Sequence, residues 1–154
     1  FSPVMLYVSG IDSLGDYTVG CKYVVVTDSI TVLGVRFRRY GTAAIITAKL
    51  WRGGSALASA SVAVTPPGVV EVSFSSAVTL SAGDIFWTTI YDGGTRYARG
   101  AALSWEPGDW SGTGFFTAHA SGVYLLHPGQ YGSGDQQPNT GSSGERFPVE
   151  GIIP

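Results

Sequence analysis

The chain of 154 residues predicts an all-β fold: an antiparallel β-sandwich, jelly-roll-like, with a long Gly-rich C-terminal loop. Three observations carry that expectation. Apolar and polar residues alternate with a period of two in one segment after another, the mark of strands with one buried and one wet face. Turn signals recur at the spacing of short strands in a sandwich or barrel. No segment shows the 3.6-residue apolar period of a helix longer than one turn.

Taken in order, residues 1–16 hold an apolar run and then a loop-like segment, and read as an N-terminal arm or edge strand. Residues 17–154 follow as a single sandwich domain. A strand is expected over 19–27, with a turn at 27–29. Residues 30–64 read as three successive strands, and Val35-Arg36-Phe37-Arg38 alternates apolar with charged. Ile46, Ala48 and Leu50 repeat the period with Thr47 and Lys49 between them, and Ala58, Ala60, Val62 and Val64 form the inward set of the next strand. Gly53-Gly54 supplies the positive φ of a tight hairpin between them. Pro66-Pro67-Gly68 breaks pairing, since proline has no N–H to donate.

Beyond that break, Val70, Val72 and Phe74 alternate with Glu71, Ser73 and Ser75, and Val78 and Leu80 continue towards a turn at 81–84. Residues 85–91 are so rich in apolar, β-branched and aromatic side chains that they predict a central strand covered on both faces. This places Trp87 in the core. Asp92-Gly93-Gly94 predicts a hairpin into a strand at 95–99. From Gly100 onward glycine, serine, proline and aromatics dominate. A short apolar run at 123–126 precedes an irregular loop over 128–144, and residues 147–153 close the chain as a final strand.

Composition narrows the function classes. Charged residues are 13% of the chain, about half the usual share, against 44% apolar residues. So low a charge suits an extracellular, cell-surface or virion protein better than a cytosolic enzyme. The net charge of −2 offers no basic field for nucleic acid or an anionic membrane. No run approaches the roughly 18 apolar residues of a membrane-spanning helix. The chain begins at Phe1 rather than methionine, which reads as processing or as one piece of a longer polypeptide. Cys21, the single cysteine, excludes an intrachain disulfide, and its parity with Tyr23 and Val25 reads as a small buried hydrophobe.

Catalytic chemistry is thinly represented. The carboxylates fall mostly in turns or at exposed strand positions, where aspartate stabilises the turn. Glu106 and Asp109 form the one close pair in an aromatic setting, and a glycosidase needs two carboxyls across a cleft. His119 and His127 lack the spacing and companions of a metal site. Calcium held by loop oxygens near Asp92 or Asp135 is the one cofactor considered, and low carboxylate density counts against it. The expectation is a non-enzyme without cofactors.

Aromatic residues are the positive signal, with four Trp, eight Tyr and seven Phe. Tryptophan and tyrosine join a flat apolar face to a polar handle, the combination that stacks on the C–H face of a sugar ring. Trp105 and Trp110 flank Glu106-Pro107-Gly108-Asp109 in a loop, where an exposed indole needs a reason. They are the leading ligand-binding candidates, and caps over an open end of the sandwich are the alternative. Tyr97 and Tyr131 lie in loop-rich segments, and Trp51 points outward by parity at the end of its strand. Arg36, Arg38 and Arg39 form a small basic group, read as solvated strand surface or a subunit contact.

Several phrases together resemble a bacterial and phage family, domain of unknown function 4082. They are LGVRF at 33–37, LWRGGSALASASV at 50–62, VEVSFSSAVTLSAGD at 70–84, TRYARG at 95–100, and the glycine-rich stretch and last strand over 122–152. The resemblance covers about residues 17–153. It implies a sandwich similar to carbohydrate-binding modules, acting as an accessory domain beside glycan-acting enzymes, adhesin-like repeats or virion proteins. Arg38-Arg39-Tyr40 departs from the family's tyrosine-lysine type ending, and the loop at 109–112 has no counterpart in it. The function expected is therefore a glycan-binding adhesion module on a cell surface or virion. The alternative is a structural, self-associating component of a virion or surface layer. Surface glycans and further copies of the chain are the expected partners.

Overall fold

The computed structural model describes residues 8–12, 16–39, 44–64, 68–91, 97–100, 122–141, 147 and 149–154. Among them every regular element is a strand: β1 (Val8–Asp12), β2 (Tyr17–Val25), β3 (Ser29–Arg39), β4 (Ala44–Arg52), β5 (Ser55–Val64), β6 (Gly68–Ser81), β7 (Ile85–Tyr91), β8 (Tyr97–Gly100), β9 (Val123–Ser133), β10 (Thr140–Gly141) and β11 (Val149–Ile152). They pair antiparallel into a six-stranded sheet in the order β10-β9-β2-β7-β4-β5, a three-stranded sheet β11-β3-β6, and the pair β1-β8. The two larger sheets bury one shared apolar core and stay open at their edges, a β-sandwich arrangement.

Alternation decides which face each strand buries. From the larger sheet Val19, Cys21 and Tyr23 of β2, Ile46, Ala48 and Leu50 of β4, and Phe86 and Ile90 of β7 point inward. Val35 and Phe37 of β3, Val72 and Phe74 of β6, and Val149 of β11 meet them from the smaller sheet. Alanine at position 48 and Gly151 on β11 leave the room that close layer packing needs; a Cβ at Gly151 would stand 3.3 Å from Val32 Cγ1.

Hydrogen bonds tie the two layers together through the C-terminal segment. Tyr23 donates its hydroxyl to the Val149 carbonyl at 2.8 Å, and Thr88 donates to the same oxygen at 3.1 Å. Cys21 Sγ donates to the Phe147 carbonyl at 2.9 Å. Buried hydroxyls without acceptors would cost 1–3 kcal/mol each, by the usual order of magnitude, so these bonds make polar atoms admissible in an apolar core.

The hairpin at Gly53-Gly54 forms as the sequence predicts: both glycines have positive φ, 62° and 85°, and Ser55 pairs with Arg52 across the turn. The three strands read within 30–64 are present and divide between the sheets, β3 in the smaller and β4 and β5 in the larger. Other expectations are corrected. β8 pairs with β1 rather than folding back on β7 as a hairpin. The stretch expected as an irregular loop over 128–144 continues β9 to Ser133 and includes β10, because β9 pairs with β2 on one side and with β10 on the other. β7 is central as expected, yet its outer face is only partly covered, with Ile85 exposed.

Replacing Tyr23 separates its two roles. Tyr23→Phe keeps the ring and loses the bridge to Val149, and should lower stability by about 1 kcal/mol. Tyr23→Ala also empties the core and should cost about 3–5 kcal/mol. Chemical denaturation of the two variants checks the difference.

Candidate functional site

The outer face of the six-stranded sheet carries an aromatic and polar surface built by strand register. Trp51 of β4 lies opposite Trp87 of β7, Trp87 opposite Lys22 of β2, and Lys22 opposite His127 of β9. Beside this row run Lys49, Thr89, Gly20, Gln130 and Gly141. On its other side Ile85, Val24 and Tyr124 stand in register.

Part of the face is roofed. The connection 134–139 between β9 and β10 turns back across the sheet instead of standing away from it. Thr18 donates to the Gly134 carbonyl at 2.6 Å and accepts from the Gln136 N–H at 3.3 Å. Further along, Asp135 holds Lys49 at 2.8 Å and Gln137 accepts the Gly54 N–H at 2.8 Å. The segment thereby reaches from β9 over β2 to the β4–β5 turn. It explains why Thr18, Thr89 and Trp51 are buried although they point away from the core.

Two similar units result. Trp51 donates its indole N–H to Thr89 Oγ1 at 2.8 Å, and the Lys49 ammonium lies 5.2 Å from its ring centroid. Trp87 donates its N–H to Gln130 Oε1 at 3.0 Å, and the Lys22 ammonium lies 5.3 Å from its centroid. The first unit is closed beneath the strap, with Trp51 6% exposed. The second is half-buried at the strap's margin, next to exposed Ile85 and Tyr124. Fixing the indole N–H orients each ring, and the ammonium over its face adds a cation–π attraction.

The residues singled out from sequence are distributed unevenly. Trp105 and Trp110, together with Glu106, Asp109 and His119, lie outside the described residues, as does Asp92. Tyr97 lies on β8, and its side chain is outside the described residues. Tyr131 is part of β9, half-buried, and meets Tyr17 edge-on with centroids 5.9 Å apart. Trp51 is outward by parity as read, and is covered by the strap. Trp87, expected in the core, instead faces outward: Phe86, Thr88 and Ile90 form the inward set of β7. Its alternation with Phe86 and Thr88 held that information, masked by the apolar character of the whole strand. Asp135, a calcium candidate, has its carboxylate engaged by Lys49. Among the described residues no group of His, Cys, Asp or Glu is clustered for a metal ion.

A second polar feature lies on the smaller sheet. Glu150 departs from the exposed strand and turn positions expected for most carboxylates and is fully buried. Arg36, its register partner on β3, donates from Nε to Glu150 Oε1 at 2.5 Å and lies 3.6 Å from Glu71. Glu150 Oε2 has no hydrogen-bond partner among the described residues. Burial pushes this carboxyl up to about 9, against the opposing pull of Arg36 and with a smaller upward contribution from Glu71. Arg36 is thus committed to this pair instead of forming free basic surface.

No protein-family model matches the chain, and no curated protein matches it. Function is therefore argued from the site itself.

The Glu150 shift carries a sign. Its ordinary value is 4.5, so between about 4.5 and 9 the folded chain keeps a proton that the unfolded chain has lost. Stability from this group is fully present below 4.5 and declines as pH rises through the window, by at most about 1.4 kcal/mol per pH unit. Glu150→Gln keeps an acceptor for Arg36 and removes the titration. Urea denaturation across the window should show a falling stability in the parent and a flatter profile in the variant.

Proposed function

We propose that this chain is a non-catalytic glycan-binding module of a cell surface or virion, and that its binding face is the open margin of the six-stranded sheet around Trp87. The observation that carries this reading is the oriented, half-buried indole of Trp87, pinned by Gln130 and flanked by Lys22, on an otherwise apolar ledge of Ile85, Val24 and Tyr124. A rigid aromatic plane rimmed by N–H groups fits a sugar, whose C–H face stacks while its hydroxyls bond the rim. The resemblance to the family of unknown function 4082, and the finer jelly-roll assignment, belong to the same proposal. Trp105, Trp110 and Tyr97 are proposed as further ligand contacts, with Trp51 beside Trp87 in register and Tyr131 against Tyr17.

A glycan-array screen of the parent beside Trp87→Ala, and beside a Trp105→Ala, Trp110→Ala double variant, checks the reading. The parent should bind a defined subset of glycans, and Trp87→Ala should lose about tenfold or more, equivalent to about 1.4 kcal/mol. Loss in the double variant with Trp87→Ala unaffected would move the site to the loop.

Self-association is the second reading, favoured by β5. Its ten residues, Ser55–Val64, hold no charge and no proline, and among the described residues it has a sheet neighbour on one side only. Such an unguarded edge invites pairing with another strand, and an uncharged one pairs with its own copy without like-charge repulsion. Light scattering should give a dimer for the parent. Leu57→Lys, placing a charge at a part-exposed position of this strand, should return it to a monomer with the fold intact by circular dichroism.

A further inference from the structure

We propose, resting on the self-association reading, that the chain pairs with one further copy of itself through residues 58–64 of β5, antiparallel and centred on Ser61, and that the assembly closes at two. The sheet edges of the molecule differ in how they are guarded. Sheets protect an edge with charge, proline, a bulge or shortness. β6, one edge of the smaller sheet, carries Glu71 and a large bulge, in which Phe74, Ser75, Ser76 and Ala77 stand opposite Leu33 alone. At the other edge β11 is four residues long; its Val149 carbonyl accepts from both Tyr23 and Thr88, and the Val149 N–H donates to the Phe147 carbonyl. In the larger sheet β10 has two residues, and β9 beside it contains Pro128 and slips register against β2. β1 and β8 are short and include Asp12 and Arg99.

β5 has none of these devices over residues 58–64. Its one irregularity, at Leu57, falls between the Trp51–Ala56 and Leu50–Ala58 pairs, and beyond it the strand runs in step with β4 to Val64. The stretch is uncharged, and antiparallel pairing sends the two Arg52 ends to opposite ends of the seam, where parallel pairing would bring them together. Side-chain parity restricts the register. Ala58, Ala60 and Val62 pack towards the core and are only half-buried, while Ser59, Ser61 and Ala63 are exposed. Residues directly opposite across two strands share a face, so with both cores on one side, positions of equal parity must meet. The register that uses the whole regular stretch sets Ser61 opposite its own copy, Ala60 opposite Val62 and Ser59 opposite Ala63. The half-buried apolar row then continues into its own copy, and the two six-stranded sheets become one. A two-fold contact uses the same edge of both copies, and no second edge of this kind among the described residues is left to extend a filament.

Sedimentation equilibrium and cysteine cross-linking test the proposal. The parent should sediment as monomer and dimer with nothing larger, and its buried Cys21 should give no cross-link on mild oxidation. Cα atoms directly opposite in an antiparallel pair stand about 4.5–5.5 Å apart, within the span of a disulfide, so Ser61→Cys should form a covalent dimer. Ser59→Cys alone should not, since its own copy stands roughly 14 Å away along the seam; mixed with Ala63→Cys it should cross-link. Ser61→Lys sets two ammonium groups face to face and should raise the dimer dissociation constant about tenfold or more with circular dichroism unchanged, while Ser61→Thr should leave it in place. A dimer that Ser61→Cys does not cross-link, or that folded Ser61→Lys does not weaken, overturns this seam and leaves self-association standing. Species that grow beyond the dimer with concentration overturn the closure. A parent that stays monomeric throughout overturns both the seam and the self-association reading.

Discussion

The C-terminal segment is the constraint on which the sandwich depends. β11 belongs to the smaller sheet through its pairing with β3, yet the carbonyls of Phe147 and Val149 accept from Cys21, Tyr23 and Thr88 of the larger sheet. A purely apolar contact between layers would tolerate sliding, because hydrophobic burial is non-directional. These bonds have fixed geometry and fix the position of one layer on the other. Tyr23 shows what such an arrangement demands: desolvation, followed by the influence of Cys21, raises its hydroxyl well above the usual tyrosine range and keeps it a neutral donor. Inward residues of β11 join the core while Glu150, pointing the opposite way, is held by Arg36. One short strand thus carries both the seam between sheets and a buried carboxyl.

Holding the inner face fixed leaves the outer face of the larger sheet free to differentiate. The segment 134–139 covers the side of β4 and the start of β2, and stops short of Lys22 and Trp87. Its attachments are mostly polar and fall on different strands, so the cover is set by hydrogen bonding instead of by apolar packing. Pro138 is the exception, buried against the sheet side of the segment near Gly132. The boundary between covered and open surface follows from where those polar partners stand in the register.

Local alternation made most strands readable, and Gly53-Gly54 marked its hairpin, because both properties are encoded within a few residues. Partnership between strands is not encoded that way. The patterns of β3 and β4 state which face each buries and are silent on whether they share a sheet. β9 was hidden by Pro128, Gly129 and Gln130, a composition that suggests loop; its backbone pairs with β2, and Gln130 accepts from Trp87. Glu150 looked like any alternating strand carboxylate; its burial depends on Arg36, 114 positions earlier in the chain. The candidate site was legible in kind, as aromatics on a sandwich, and its location was not. Trp87 required parity to be weighed above the hydrophobicity of its strand.

The two tryptophan units allow a comparison within one sheet. Each has a polar side chain accepting the indole N–H and a lysine ammonium at nearly the same distance from the ring, 5.2 Å for Trp51 and 5.3 Å for Trp87. In the first, Asp135 pairs with the lysine and the ring is buried, so the indole N–H and the ammonium both have partners within the protein. A cation–π contact contributes about 0.5–1 kcal/mol where solvent reaches it and more where it is desolvated. The covered unit therefore accounts for itself as structure. The second keeps the same orientation of ring and ammonium without the carboxylate and without the cover.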